Sequence, residues 1–278
     1  MISIKTEKEI EMMKEGGKKL ALVFAEVVKR IKPGARLKQL DCLAEKLIIK
    51  QGGYPSFKTV RGYHWATCIN INEGVVHGIP SDYQIKEGDL VSLDMGMLYR
   101  GFHTDMARTF WVRTKNEKLK TKNSTPPRRW RGNDLDFCEV NKFLGAGKEA
   151  LKMAIKAARP GNRVGHISAT IEKVIKKAGF NPVKELTGHG VGKKLHEEPQ
   201  IPCFLTRPIS QTPPLEPGMT LAIEVIYSWG RSDLFLTKNG WTIKTVDGKL
   251  AGLFENTILV TKKEPVILTD LEMILNIC

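Results

Sequence analysis

Ser92-Leu93-Asp94-Met95-Gly96-Met97-Leu98-Tyr99-Arg100-Gly101-Phe102-His103-Thr104-Asp105-Met106-Ala107-Arg108 is the stretch on which the fold turns. Val91, Leu93, Met95 and Met97 alternate with Ser92, Asp94 and Gly96, and a period of two marks a half-buried strand. Tyr99-Arg100-Gly101 then leads into a second run from Phe102 to Phe110, so the stretch predicts a β-hairpin. With the turn centred on Tyr99 and Arg100, Asp94 and Asp105 face each other, their Cβ atoms about 4.5–5.5 Å apart. Two like charges so placed repel, and a bound cation reverses the sign of that interaction. The hairpin is therefore either half of a metal site or a strand face with two solvated aspartates.

Outward from the hairpin, the same phrases return later in the chain. Gly88-Asp89-Leu90-Val91-Ser92-Leu93-Asp94 resembles Gly218-Met219-Thr220-Leu221-Ala222-Ile223-Glu224, which sets Asp94 on Glu224. Further upstream, Lys32-Pro33-Gly34-Ala35-Arg36-Leu37 matches Arg159-Pro160-Gly161-Asn162-Arg163-Val164. Glu45-Lys46-Leu47-Ile48, Gly52 and Pro55 match Glu172-Lys173-Val174-Ile175, Gly179 and Pro182 at the same offset. Two similarities in the same order point to two related halves, each a pair of helices followed by sheet. The spacing predicts helices over Glu7 to Ile31, Gln39 to Gln51, Asp136 to Ala158 and Arg163 to Ala178. A single sheet shared by the halves and backed by their helices, an α+β architecture, is the economical arrangement.

Between the halves, Arg113 to Leu135 is rich in Lys, Arg, Asn and Pro and has no apolar periodicity. It is read as a basic linker or insertion at about 113–135 within one domain spanning 1–278; its basic run around Trp130 is either a solvated loop or an RNA or ribosome contact. Beyond the fourth helix come a Gly-rich stretch with His189, Pro-rich loops from Pro199 to Pro217, and strand-like runs over Leu221 to Ser228, Trp241 to Val246 and Ala251 to Thr261. The tail from Glu264 to Cys278 carries no clear pattern.

The chain has 278 residues, enough for one large domain or two small ones without covalent staples. The N-terminus lacks a signal-peptide core, and its most apolar early run, Leu20 to Val28, is broken by Glu26; a soluble, cytoplasmic protein is expected, with no membrane partner. The five cysteines, Cys42, Cys68, Cys138, Cys203 and Cys278, have no C-x-x-C spacing and are expected to be reduced thiols. A formal charge of +14 favours polyanions such as RNA or ribosome surfaces.

Glu224 and Glu255 each lie in an apolar strand, where an unpaired charge costs several kcal/mol. Each needs either a Lys or Arg or a metal. His189 stands between glycines in Thr187-Gly188-His189-Gly190-Val191-Gly192. Together with Asp94 and Asp105 the set is four carboxylates and one imidazole, too rich in oxygen for a structural zinc and suited to divalent Mn, Fe or Co.

These residues, with Val76-His77-Gly78-Ile79-Pro80, His196-Glu197-Glu198-Pro199 and Asn239-Gly240-Trp241-Thr242, resemble the type I methionine aminopeptidases from about Ile4 to Thr261. The resemblance implies the pita-bread fold, whose two pseudo-symmetric halves share an antiparallel sheet. It also implies removal of the initiator methionine from nascent polypeptide N-termini with a small second residue. Asp105 and Glu255 would bridge two divalent ions (Co, Mn, Fe or Zn), Asp94 completing one site and His189 with Glu224 the other. Glu224 would be the general base, and His77 and His196 would contact the substrate amide and carbonyl oxygen. Tyr63, Cys68, Leu195 and Trp241 would line the methionine pocket.

The sequence departs from the common pattern at Asn256, where relatives often have His, at Val225, where Pro is frequent, and at Val60, where an aromatic residue can occur. Prolidase-like relatives share the metal set but usually carry a further N-terminal domain. A catalytically inactive pita-bread protein binding RNA or ribosomes is the rival from another class; such proteins lack some ligands, whereas all five are present here. A monomer is expected.

Overall fold

The computed structural model describes residues 2–113 and 136–275, so the basic segment from 114 to 135 and Cys278 lie outside the described residues. The first half runs α1 (Glu7–Val28), α2 (Leu37–Lys50), β1 (Tyr54–Pro55), β2 (Thr67–Ile71), β3 (Gly74–Val76), β4 (Leu90–Tyr99) and β5 (Phe102–Trp111). The second runs α3 (Phe137–Ala157), α4 (Val164–Lys177), β6 (Asn181–Pro182), β7 (Thr187–Gly190), β8 (Glu197–Pro202), β9 (Thr220–Ser228), β10 (Leu234–Leu236), β11 (Ile243–Thr245), β12 (Ala251–Leu259), β13 (Val266–Ile267) and α5 (Leu271–Leu275).

Local chemistry sets the helix ends. Thr6 and Glu9 form a capping box at the start of α1, the Glu9 carboxylate accepting the Thr6 N–H at 2.9 Å. Asp136 caps α3 by accepting the Cys138 N–H at 3.1 Å. α1 stops at Val28, short of Ile31, as the chain turns toward Pro33. A Cβ on Gly17 would lie 2.4 Å from the Leu268 carbonyl oxygen, so only glycine lets α1 meet the C-terminal segment.

Among the described residues the strands form a ten-stranded antiparallel sheet ordered β1-β4-β5-β12-β9-β7-β8, with β2 on β4, β6 on β9 and β13 on β12. A three-stranded sheet, β10-β11-β3, carries one strand of the first half and two of the second. The halves meet where β5 pairs with β12, and outward from that seam β4 then β1 mirror β9 then β6. This is the pita-bread arrangement.

Val91, Leu93, Met95 and Met97 of β4 pack beneath α1 and α2, while Leu221, Ile223, Val225 and Tyr227 of β9 pack with α3 and α4. Alternation then turns Asp94 and Glu224 to the other face. Through β4 and β9 the sheet is thus apolar where it meets the helices and carries its acids opposite.

The structure corrects three expectations. In the hairpin Tyr99 pairs with Phe102, so the turn is Arg100-Gly101, with φ of 48° and 83°. Two consecutive positive φ values are those of a type I′ turn, whose twist suits a two-residue hairpin. Asp94 therefore stands opposite Ala107, and Asp105 opposite Gly96; the aspartates are diagonal neighbours on one face. Pro199 to Pro202 belongs to β8, at the sheet edge where proline is tolerated. The tail carries structure where none was read: β13 pairs with β12, and Leu271 and Ile274 are buried in the cluster under α1. Cys42, Cys68, Cys138 and Cys203 are free thiols, and no described helix is long and apolar enough to cross a membrane.

Candidate active site

Register alone assembles the charged residues. One row crosses four strands: Asp94 faces Ala107, Ala107 faces Glu255, and Glu255 faces Glu224. Cys68 of β2 extends it beyond Asp94. In the adjacent row Asp105 faces Gly96, Thr257 faces Ala222, and Ala222 faces His189. The Thr257 hydroxyl joins the two parts, accepting the Asp105 N–H and donating to the Asp105 carbonyl, each at 2.8 Å. Strands about 4.8 Å apart and rows about 6.6 Å apart bring the five side chains over one spot.

Asp105, His189 and Glu255 each offer a ligand atom within 4.8 Å of the others. The His189 Nδ1–H donates to the Gly190 carbonyl at 2.8 Å, and Nε2 faces Glu224 Oε1 at 3.5 Å. Because a carbonyl only accepts, the proton sits on Nδ1 and the Nε2 lone pair points into the site. Burial, with His196 alongside, pushes His189 down to about 4, so the ring is neutral at ordinary pH. Burial pushes Asp94 up to about 7. Burial first and neighbouring carboxylates second raise Asp105, Glu224 and Glu255 well above the carboxylate range.

Asp94 Oδ1 and Glu255 Oε1 are buried without a hydrogen-bond donor among the described residues, and no described Lys or Arg forms an ion pair with any of the four carboxylates. Buried acceptors without donors, gathered round a neutral imidazole lone pair, are what a divalent cation requires. The donor set fits a metal.

Beside this floor is an apolar wall. Tyr63 donates its hydroxyl to the Thr67 carbonyl at 2.9 Å, and its ring stands edge-on to Trp241 at 5.1 Å between centroids. Phe57, Cys68 and Leu195 complete the cluster, with Val60 partly buried against it. Trp241 sits in the turn between β10 and β11, where the Asn239 side-chain Oδ1 accepts the N–H groups of Trp241 and Thr242, each at 2.9 Å. The His196 ring meets His189 edge-on at 4.5 Å, and His77 follows β3 with a φ of 55°. A cavity of about 130 Å³ takes in all eleven residues singled out from the sequence, together with Phe57, Val60 and Val76. It adjoins a wider open cleft of about 740 Å³ that shares His77, His189, His196 and Glu224.

Against known proteins, the model of metallopeptidase family M24 matches residues 11–262. The chain belongs to metallopeptidase family M24. Within the family it is 39% identical over 262 residues to methionine aminopeptidase 1 of Bacillus subtilis, covering 94% of this chain and 96% of that one. The crystal structure of the Thermotoga maritima methionine aminopeptidase superposes with a TM-score of 0.85 at 38% identity, covering 97% of this chain and all of the other. A prolidase from Pyrococcus furiosus shares the fold, with a TM-score of 0.70 at 24% identity; the match covers 96% of this chain and 65% of that one.

One residue that shapes this M24 site went unremarked in the sequence. Asp41, on the apolar stripe of α2 with Leu37, Leu40, Ala44 and Ile48, is buried. Its Oδ1 accepts from the Ala66 N–H, the Thr67 N–H and the Thr67 hydroxyl at 2.8–2.9 Å, holding the loop between Tyr63 and Cys68. A carboxylate inside a helical apolar stripe was the available signal. Phe57 and Val76 also line the cavity and carry no signal beyond being apolar.

Proposed function

We propose that this M24 chain is a methionyl aminopeptidase that hydrolyses the first peptide bond of new polypeptides, releasing the initiator methionine where the second residue is small. The observation that carries the reading is the single cavity in which a carboxylate-rich, donor-poor floor meets an apolar aromatic wall. Asp105 and Glu255 would be shared by two divalent ions, Asp94 completing one set and His189 with Glu224 the other; Mn, Fe, Co and Zn would all suit these donors. When bound, the ions supply Lewis acidity to the scissile carbonyl and to the attacking water.

Glu224 receives the proton of that water and returns it to the departing amine. Burial lowers the proton affinity of His77 and His196, so both rings stay neutral. A neutral ring still has one N–H, offered to the carbonyl oxygen and amide of the substrate as charge develops. Tyr63, Cys68, Leu195 and Trp241 hold the methionine side chain, whose burial is worth about 1.5–3 kcal/mol. The substrate is made on ribosomes, so the reading places the chain in the cytoplasm, working as a monomer, and its charge of +14 favours contact with rRNA.

The test is methionine release from a Met-Ala-Ser peptide by metal-free protein, with and without Mn or Co, beside Glu224→Ala. Metal-dependent release that the variant loses is the expected result. A folded, metal-loaded wild type that releases none would sink the reading.

A further inference from the structure

The helix-facing side of the seam carries a charge that hydrolysis does not use. Arg108 Nη1 donates to the backbone carbonyls of Ala107, at 2.8 Å, and of Glu255, the two residues that face each other across the seam. Its Nη2 donates to Asn256 Oδ1 at 2.7 Å. Asn256 Nδ2 passes the connection on, donating to the Thr269 carbonyl at 2.6 Å and to Thr269 Oγ1 at 3.0 Å. Thr269 Oγ1 also accepts the Thr257 N–H at 3.0 Å, and Leu268 N–H donates to the Thr257 carbonyl at 2.9 Å. Asp270 and Glu272 place negative charge near the guanidinium.

The backbone ladder is thin at this point. β5 and β12 are in register only at Glu255 with Ala107 and Asn256 with Met106, and the hydroxyls of Thr109 and Thr257 stand in for ladder bonds on either side. Glu255 Oε1 has no donor among the described residues, so its direction follows from where its backbone is held. One guanidinium nitrogen bonds both seam carbonyls while the other bonds Asn256, a fixed planar spacing that a Lys ammonium does not reproduce. Asn256 suits the position because it accepts from Arg108 and donates to Thr269 at once.

We propose that Arg108 and Asn256 are positioning residues for the Glu255 carboxylate, braced in turn through Thr269 by the segment from β13 to α5. The proposal rests on reading Glu255 as a metal ligand. Its effect is on how tightly and in what geometry the ions are held, since partners behind a ligand commonly change metal affinity about 10–100-fold.

The experiment is calorimetric titration of metal-free full-length protein with Mn, and the visible absorption of the Co-loaded form, for the wild type, Arg108→Lys and Asn256→Ala. Arg108→Lys is expected to weaken Mn binding about 10-fold or more and to alter the Co bands, with kcat falling and KM for Met-Ala-Ser little changed. Asn256→Ala is expected to move both in the same direction by less. Should Arg108→Lys fail to fold, Asn256→Ala, which leaves the guanidinium in place, carries the test alone. Folded variants with wild-type Mn affinity and an unchanged Co spectrum, even at a lower Tm, would show a merely structural role and overturn the proposal. Because ion binding is the readout, equal affinities overturn it even if the wild type releases methionine, and weakened variants support it even if the wild type does not.

Discussion

β4 passes directly into β5 through Arg100-Gly101, whereas β9 reaches β12 only after an excursion through β10 and β11 that carries Trp241. The halves agree where the outer carboxylates stand: Asp94 and Glu224 lie in one row, each one strand away from the seam. They differ at the seam itself. The first half places Ala107 opposite Glu255 and moves its own acid, Asp105, one row along. A small residue facing a long carboxylate leaves room above the seam that two facing acids would fill. The repeat thus supplies a symmetric frame, and its departures supply the asymmetry: acids in different rows, and a pocket wall from the long excursion.

The comparison can be broken at several points. Asp94 and Glu224 are equivalent in the fold, but the proposed mechanism gives the proton transfer to Glu224 alone, so Glu224→Gln should lower kcat by about 10²–10⁴-fold even at saturating Mn, beyond the loss for Asp94→Asn. Equal losses in steady-state assays would make the halves chemically equivalent. His196, contributed by the second half, should be worth about 10²–10³-fold in kcat when replaced by Ala, with KM little moved. A change confined to KM would place the ring in binding alone. The excursion should act on binding: Trp241→Ala removes apolar contact worth about 1.5–3 kcal/mol, so KM for Met-Ala-Ser should rise about tenfold or more while kcat changes less.

The smallest effect is on stability. The folded chain keeps the Asp94 proton up to about pH 7, whereas the unfolded chain releases it near the ordinary value of 3.8. The folded state therefore binds more protons across that window, and metal-free stability falls as pH rises from about 4 to 7. Ions replace those protons, so the Tm difference between Mn-loaded and metal-free protein should widen over the same range. A constant difference in melting curves across it would argue against the four carboxylates sharing the ions.

Legibility followed locality. The repeated phrases revealed two halves and set Asp94 on Glu224 because equivalent segments fold alike without reference to any contact. The hairpin was visible in its alternation, yet its register moved by one turn position, since the positive φ at Arg100 belongs to a side chain that gives no sign of it. Proline content masked β8, whose backbone pairs along only part of its length with β7. The joining of β5 to β12 was out of reach, because strand pairing over so long a separation leaves no periodic trace. Arg108 and Asn256 were hidden for the same reason: each looks like an ordinary strand residue until the seam places both beside Glu255. Asp41 was legible as an anomaly, but its partners at Ala66 and Thr67 were not.

That seam also has a history within each molecule. Synthesis proceeds from the N-terminus, so β5 emerges as the open edge of the first half, and β12 begins about 140 residues later. An open edge invites strands from unrelated chains, and charges pointing inward along it are among the devices that deter them. Asp105 and Arg108 lie on that edge, one toward each face of the sheet. Before they close against β12, the same two side chains place charge on both faces of that open edge.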